Sequence, residues 1–313
     1  MKFKKPKFWD YKKPNYLSYI LMPFTFPILL NNFFLRSIRK NAYQKKPIKI
    51  CIGNIYVGGT AKTPLTIKIS QILENLNIKT ATIKKFYPDQ IDEQKILSKK
   101  TKLYCFDKRK KALEETIKDN VEVAIFDDGL QDRSMCYDLK FVCFNNKKWI
   151  GNGLLIPAGP LREKIESISK YDALFINGNE NNNLALKLII KKHNKDIKIF
   201  ESNYRPTNIN QFNINEKYII FSGIGNPECF KELLEKNKLN IVKEIIFPDH
   251  YQYTRNDIDK IKFQAENLNA KILTTEKDYV KINPCENNDI NFLQIDLDIK
   301  DEIKFINYLK LKI

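Results

Sequence analysis

The chain of 313 residues has few cysteines, and none of them stands in a metal-binding pattern. No pair has C-x-x-C spacing, which excludes the usual zinc-ligand arrangements, and a disulfide framework is not expected in a chain of this size. We therefore predict reduced, buried thiols and a cytoplasmic location. The cysteines are Cys51, Cys105, Cys136, Cys143, Cys229 and Cys285.

Acidic residues are almost missing from the first fifty positions, where twelve Lys and Arg residues accompany a single acid, Asp10. This segment therefore carries most of the net charge of +17. A nucleic-acid-binding protein more often spreads its basic residues over a folded face or along a helix. The concentration of charge at one end argues against a basic nucleic-acid-binding P-loop ATPase, and we expect no nucleic-acid partner.

An uncharged segment of twenty residues, 16–35, lies between these basic residues. Its length is just enough to span a bilayer, but Pro23 and Pro27 interrupt it and cations flank both sides. Three alternatives stay open: a helix lying in the membrane interface, a spanning helix and a buried structural helix. We favour the interfacial helix, because anionic lipids attract basic flanks. Its predicted aromatic anchors are Trp9, Tyr11, Tyr16 and Tyr19.

A phosphate-binding loop is predicted after the short apolar run at residues 48–52, a candidate strand. Glycine-rich sequence follows, then Lys62 and Thr63, then apolar residues at helical spacing. This order is the context that a Walker A loop requires. In such a loop backbone N–H groups bind phosphate oxygens, the lysine reaches the β- and γ-phosphates, and the threonine hydroxyl ligates Mg²⁺. The predicted nucleotide-binding residues are Gly58, Gly59, Thr60, Ala61, Lys62 and Thr63.

A second candidate strand, at residues 121–126, ends in Asp127 and Asp128. Ligands lie at the carboxyl ends of strands in parallel α/β sheets, so two carboxylates there predict a Walker B metal site. An ordinary Asp-Asp-Gly turn is the alternative. Asp92 and Glu93 begin a helix-like run. The residues alone favour interpreting them as acids that complement the dipole of a helix N-terminus.

Several segments together form a specific pattern. They are GNIYVGGTAKTP (53–64), DDGLQDR (127–133), GNGLLIPAGPLRE (151–163), SGIGNPECF (222–230), FPDHYQYT (247–254) and TTEKDYVKI (274–282). In this order and at these spacings the chain resembles the tetraacyldisaccharide kinases, the lipid A 4′-kinase family. The resemblance extends from the basic and apolar N-terminus to about Ile282.

The resemblance implies a fold and a reaction. The fold is an α/β, P-loop NTPase-like parallel sheet core with an N-terminal membrane-associated helix and a smaller α/β C-terminal domain. Family members use ATP and Mg²⁺ to phosphorylate the 4′-hydroxyl of an acylated diglucosamine phosphate lipid, at the cytoplasmic face of the inner membrane of Gram-negative bacteria. We expect a membrane-associated segment at 1–40, a kinase domain at 41–205 and a smaller domain at 206–313.

Site roles also follow from the resemblance, position by position. Asp92 matches the residue assigned as general base, and His250 matches the histidine that pairs with it. The other predicted catalytic residues are Lys62, Glu93 and Arg162. The predicted metal ligands are Thr63, Asp127, Asp128 and Glu163.

The chain departs from the family pattern around this site. The family usually has Ser-Arg-Gly-Tyr-Gly where residues 84–88 are Lys-Lys-Phe-Tyr-Pro, and Phe-Gln-His where residues 130–132 are Leu-Gln-Asp. Ala61 and Tyr56 stand where a Walker A loop has glycine. A catalytically silent, membrane-bound nucleotide-binding paralogue is therefore the alternative to an active kinase.

Overall fold

The computed structural model describes residues 5–28, 46–132, 134–178 and 183–313, and within them the strands form two sheets. The strands are β1 (Ile48–Gly53), β2 (Thr80–Lys85), β3 (Leu103–Phe106), β4 (Val123–Asp127), β5 (Leu139–Asn145), β6 (Ala173–Asn177), β7 (Lys198–Pro206), β8 (Lys217–Ser222), β9 (Asn240–Ile246), β10 (Lys271–Thr275), β11 (Ile290–Leu293) and β12 (Ile295–Ile299).

Helices connect most of these strands. The α-helices are α1 (Tyr16–Leu21), α2 (Lys62–Asn75), α3 (Ile91–Lys100), α4 (Arg109–Lys118), α5 (Leu184–His193), α6 (Pro227–Lys236), α7 (Arg255–Asn267), α8 (Glu276–Tyr279) and α9 (Glu302–Lys310). Short 3₁₀ helices cover Lys7–Asp10, Met22–Thr25, Ile165–Lys170, Ile209–Gln211 and Pro284–Glu286.

The larger sheet has eight strands in the order β12-β7-β6-β5-β1-β4-β2-β3. All neighbours are parallel except β12, which runs antiparallel to β7. The predicted parallel core is therefore a mixed sheet, because the last strand of the chain returns along its edge. The smaller sheet has the order β11-β10-β8-β9, and its neighbours are all parallel.

The central strand β1 explains where ligands can bind. Its apolar run is buried on both faces: Ile50 and Ile52 pack with α2, whereas Cys51 packs on the opposite face with α4. Strands covered on both faces are continuously apolar, as this one is. Ile52 is paired with Asp127 at the end of the neighbouring β4. The loops that follow β1 and β4 therefore leave the sheet side by side at its carboxyl edge.

The smaller sheet has its own two-sided core. Phe230 and Leu234 of α6 pack on one face, and Ile258 and Ile261 of α7 pack on the other. The first strand of this sheet begins at Lys217, after the predicted boundary at residues 205 and 206, and that division stays a prediction. The last two elements of the predicted unit 206–313 pack with the larger sheet instead. They are β12, which is a strand of that sheet, and α9, which packs in its core.

The N-terminal segment is described only in part. Helix α1 has six residues, and the chain then tightens into a 3₁₀ turn containing Pro23. None of the described helices is long and apolar enough to cross a membrane. The rest of the predicted interfacial helix, from residue 29, lies outside the described residues. Trp9 is not the exposed anchor predicted for it: Trp9 is 2% exposed, and its indole Nε1 donates to the carbonyl of Pro157 at 2.9 Å.

The thiols match the sequence prediction only in part. All six cysteines lie within the described residues and are free of disulfides. Cys51 and Cys143 are buried in strands of the larger sheet, as predicted. The prediction of burial is wrong for Cys136 and Cys285, which are exposed in loop and 3₁₀ segments without a sheet to cover them.

Helix α9 packs into the core of the larger sheet, and its buried phenylalanine can be tested by substitution. Phe305 is fully buried, with its ring centroid 5.2 Å from that of Phe175 and 5.0 Å from that of Phe200. Replacing Phe305 by Ala should lower the free energy of unfolding by about 3–5 kcal/mol, measured by equilibrium urea unfolding, because a large cavity is left.

Ile303→Ala is the matched control, since Ile303 lies in the same helix but is 75% exposed. We expect this control to change the free energy of unfolding by less than about 0.5 kcal/mol. Equal losses in the two variants would mean that α9 does not belong to the core of the larger sheet.

Candidate active site

A cavity of about 410 Å³ lies where the two sheets face each other. The larger sheet contributes the loop after β1, the start of α3 and Asp128, which follows β4. The unit of the smaller sheet contributes Asn226 and His250, from the loops after β8 and β9, and Lys277, from helix α8 after β10. The cavity therefore lies at the carboxyl ends of the parallel strands of both sheets, the usual position of a ligand in this fold class.

The loop after β1 has the local structure of a phosphate-binding loop. The side-chain Nδ2 of Asn54 donates to the carbonyl of Tyr56 at 2.6 Å and to the Thr60 hydroxyl at 3.0 Å, and so fixes the turn. Ala61 takes a left-handed backbone conformation with φ of 67°, which costs an alanine about 1–2 kcal/mol. Helix α2 begins at Lys62, so its N-terminal N–H groups point into the cavity.

Gly225 lets the smaller unit approach the phosphate-binding loop closely. A Cβ on Gly225, after β8, would lie 2.7 Å from the backbone N of Gly59. Any larger residue at Gly225 would push the units apart. The loop after β8 therefore lies against the phosphate-binding loop.

Tyr56 departs from the Walker A pattern and has a clear structural role. Its ring is buried, and Lys5 Nζ lies 2.6 Å from its hydroxyl, which in turn donates to the carboxylate of Asp10. Lys5 and Asp10 also pair with each other. A tyrosine at this position thus ties the N-terminal segment to the phosphate-binding loop, a connection that the sequence did not indicate.

The predicted Walker B acids lie beside the phosphate-binding loop. The Thr63 hydroxyl donates to Asp127 Oδ2 at 3.1 Å. Asp128 Oδ1 lies 3.7 Å from Lys62 Nζ and 3.0 Å from the Arg162 guanidinium. Burial acts to raise the pKa of Asp128, but the charges of Lys62 and Arg162 outweigh it, and the pKa lies below its ordinary value. Asp128 is therefore a carboxylate at neutral pH.

Asp92 and His250 come from different units and are in direct contact. Nδ1 of His250 lies 3.1 Å from both carboxylate oxygens of Asp92. Asp92 is 1% exposed and does not line the cavity, whereas His250 does. Burial acts to raise the pKa of Asp92, but the hydrogen bond from His250 and the charge of Lys277 hold the pKa below its ordinary value. The structure thus places an ionised carboxylate behind an imidazole that faces the cavity.

Glu93 is also in the site rather than a solvated helix-start acid. Its carboxylate lies 2.6 Å from Lys84 Nζ and 3.1 Å from Lys277 Nζ. Burial acts to raise the pKa of Glu93, but the charges of these two lysines hold the pKa well below its ordinary range. Both Asp92 and Glu93 lie in the first turn of α3, as the residues alone predicted, and both also have charged partners from the smaller unit.

Sequence reasoning missed two lysines of this site. Lys277 lies in the TTEKD segment, where its Nζ is 3.1 Å from Glu93 and 3.5 Å from Asp249. Burial acts to lower the pKa of Lys277, but the neighbouring carboxylates raise it above its ordinary value. Lys84 lies in the stretch that departs from the family pattern. The segments that resemble the family could be identified in the sequence. The sequence did not indicate which of their charged side chains face the cavity.

Glu163 is the predicted site residue with the weakest connection to the others. It accepts a hydrogen bond from Gln131 Nε2 at 2.8 Å, and Gln131 also accepts from Arg162. Its prediction as a metal ligand stays a prediction. Within the described ranges, no group of three or more His, Cys, Asp or Glu side chains is arranged to hold a metal ion. A divalent cation here would need oxygens from a bound ligand as well.

Comparison with known proteins gives matches along nearly the whole chain. The sequence profile of the family described as Tetraacyldisaccharide-1-P 4'-kinase matches residues 18–313. A tetraacyldisaccharide 4'-kinase of Pelagibacter ubique is 49% identical over 310 residues, covering 99% of this chain and 98% of that protein. A tetraacyldisaccharide 4'-kinase of Rickettsia bellii is 32% identical over 329 residues, covering 98% and 97%.

The fold is similar to a solved structure. LpxK from Aquifex aeolicus, crystallised in complex with ATP, aligns with a TM-score of 0.68 at 20% identity, covering 95% of this chain and 99% of that chain. At this identity the similarity shows the fold alone. It confirms the predicted α/β, P-loop NTPase-like fold class, whereas the predicted N-terminal membrane-associated helix stays a prediction.

Proposed function

The chain belongs to the tetraacyldisaccharide-1-P 4'-kinase family, and we propose that the cavity between its sheets carries out that family's reaction. The protein is a tetraacyldisaccharide 4′-kinase of lipid A biosynthesis. The observation that carries the proposal is the meeting, in one cavity, of a phosphate-binding loop and a histidine paired with a buried aspartate. Phosphoryl transfer to a hydroxyl needs a site for the phosphates and a group that accepts the hydroxyl proton.

ATP is placed by the phosphate-binding loop. The N–H groups at the start of α2 bind phosphate oxygens, and Lys62 exchanges its contact with Asp128 for the β- and γ-phosphates. Arg162 and Lys277 also line the cavity and add positive charge from both units. Charge neutralisation and positioning are the main contributions a protein makes to phosphoryl transfer.

The residues at the end of β4 and at the start of α2 fit a magnesium ion that arrives with the nucleotide. A hydroxyl and two carboxylates, from Thr63, Asp127 and Asp128, offer the oxygen ligands that Mg²⁺ prefers. Mg²⁺ in phosphoryl-transfer sites is held by one or two carboxylates together with substrate phosphates. When bound, the ion would neutralise the phosphate charge. These three residues would hold it, and Glu163 stays a further candidate.

The proton of the acceptor hydroxyl passes to the Asp92–His250 pair. The sugar oxygen forms a bond to the γ-phosphorus, the bond from that phosphorus to the bridging oxygen breaks, and ADP leaves. The family resemblance implies Asp92 as the base. Its burial behind His250 favours the imidazole as the group that meets the hydroxyl, with Nδ1–H donating to Asp92 and Nε2 accepting the proton. Asp92 then stabilises the imidazolium.

The test uses purified protein, Mg²⁺, γ-labelled ATP and a tetraacylated diglucosamine 1-phosphate, with label followed into the lipid. We expect acceptor-dependent transfer by the wild type. His250→Gln should lower kcat by about 100- to 10,000-fold, because the proton acceptor is lost. Affinity for ATP, measured by calorimetry, should not change, since His250 is not part of the phosphate-binding loop.

His193→Gln is the matched control, because His193 is the other histidine of the chain and ends α5 outside the cavity. It should keep wild-type kcat. A wild type that binds ATP but transfers no label would contradict the proposal and would favour the catalytically silent paralogue. A His250→Gln variant with unchanged kcat would contradict the assigned proton acceptor alone.

We further propose that the N-terminal segment holds the enzyme on the cytoplasmic face of the inner membrane, bound to anionic lipid. Tyr16, Tyr19, Ile20 and Phe24 are all more than half exposed in this segment. Contiguous exposed aromatic and aliphatic side chains are a feature of membrane contact sites. The segment is also attached to the catalytic unit, because Asn152 Nδ2 donates to the Ser18 hydroxyl at 3.0 Å. The N-terminal segment is therefore packed against the unit of the larger sheet.

Replacing Tyr19, Ile20 and Phe24 together by Ser should weaken binding to vesicles containing phosphatidylglycerol by at least about tenfold, because buried apolar area is lost. Co-sedimentation measures the effect. Leu184→Ser with Leu188→Ser is the control, since both leucines are 64% exposed on α5. The assignment of the segment to the membrane fails if both variants bind vesicles equally well.

A further inference from the structure

Lys84 is a fully buried lysine at the catalytic edge of the larger sheet. It occupies the fifth position of β2, and its side chain is 2% exposed. Its Nζ lies 2.6 Å from Glu93 Oε2 and 2.8 Å from Asp127 Oδ2. One ammonium group thus bridges an acid of α3 and the Walker B acid of β4.

A buried ammonium ion is costly unless carboxylates surround it, and a buried carboxylate pair is equally costly without a cation. Lys84 avoids both costs, because its ammonium group contacts two carboxylates and supplies a cation to each of them. The remaining contacts of Asp127 come from hydroxyls: Thr63 Oγ1 donates to Oδ2 and Thr66 Oγ1 donates to Oδ1. Both oxygens of Asp127 are therefore engaged within the protein before any ligand enters. A divalent ion that binds Asp127 and Glu93 has to displace the ammonium group of Lys84 from them.

We propose that Lys84 is a built-in cation of the phosphate site, which neutralises Asp127 and Glu93 and keeps them from taking up a divalent ion until nucleotide is bound. Without Lys84, the buried carboxylate of Asp127 and the partly buried carboxylate of Glu93 would lie side by side between β2, β4 and α3, with Glu93 still paired to a lysine, Lys277. Such a pair attracts a hard divalent cation, and the affinity rises with the number of charged ligands. With Lys84 present, the ion enters together with the phosphates. Lys84 is a positioning residue in this scheme, since it acts through Asp127 and Glu93.

This inference rests on the proposed use of a metal–nucleotide complex but does not involve the lipid acceptor. It can therefore be tested without nucleotide and without turnover. Mn²⁺ is the probe, because its binding is followed directly by the loss of the free-ion signal in electron paramagnetic resonance. A failure of the kinase assay and a failure of this test are distinguishable.

We expect the nucleotide-free wild type to bind Mn²⁺ weakly and Lys84→Met to bind it at least about tenfold more tightly. Lys85→Met is the matched control: Lys85 is the next residue of β2, and its Nζ lies over the ring of Tyr87 instead. This control should bind Mn²⁺ as weakly as the wild type. The double variant Lys84→Met with Glu93→Gln should lose the gain, because only one of the two carboxylates remains.

Two results would overturn the proposal. One is a folded Lys84→Met variant, checked by circular dichroism, that binds Mn²⁺ no more tightly than the wild type. The other is tight Mn²⁺ binding by the nucleotide-free wild type, with a Kd on the order of micromolar or below. The second measurement needs no variant, and so it decides the question even if Lys84→Met does not fold. Weak binding by the nucleotide-free wild type together with tight binding by Lys84→Met would support the proposal.

Discussion

The carboxylate of Glu93 is shared by two lysines that come from different sheets, and the geometry of the site depends on this sharing. Lys84 reaches it from the larger sheet, and Lys277 reaches it from the smaller one. The pair Asp92–His250 crosses the same boundary a short distance away. Buried charges of this kind are stable only when all partners are present. Both the Glu93–Lys277 ion pair and the Asp92–His250 contact therefore cross the boundary between the two units.

The sequence predicted the larger features because each has a local cause. An apolar strand, a glycine-rich turn and Lys62–Thr63 at a helix start were visible in one stretch, and β4 ending in Asp127 was visible in another. Non-local pairings were not visible. Nothing in the spacing of residues indicated that β12 would return to the larger sheet beside β7, or that Trp9 would be buried against Pro157. The role of His250 came from resemblance, since one histidine carries no geometry in sequence.

Three departures from the family pattern each have their own structural consequence. Tyr56 connects the phosphate-binding loop to Lys5 and so to the N-terminal segment. Ala61 accepts a left-handed conformation that a glycine would adopt without strain. Lys84 brings a cation into the site itself. Each change adds a contact or a strain within the protein, and the phosphate-binding loop, the carboxylates and the histidine stay in place.

A double-mutant cycle between Glu93 and Lys277, with kcat as the measured quantity, tests most directly whether charges from both units form one site. Glu93→Gln, Lys277→Met and the double variant are compared with the wild type. We expect Lys277→Met to lower kcat much less in the Glu93→Gln background than in the wild type, with a coupling energy of about 1 kcal/mol or more. Losses that simply add would contradict it, because the two residues would then act independently.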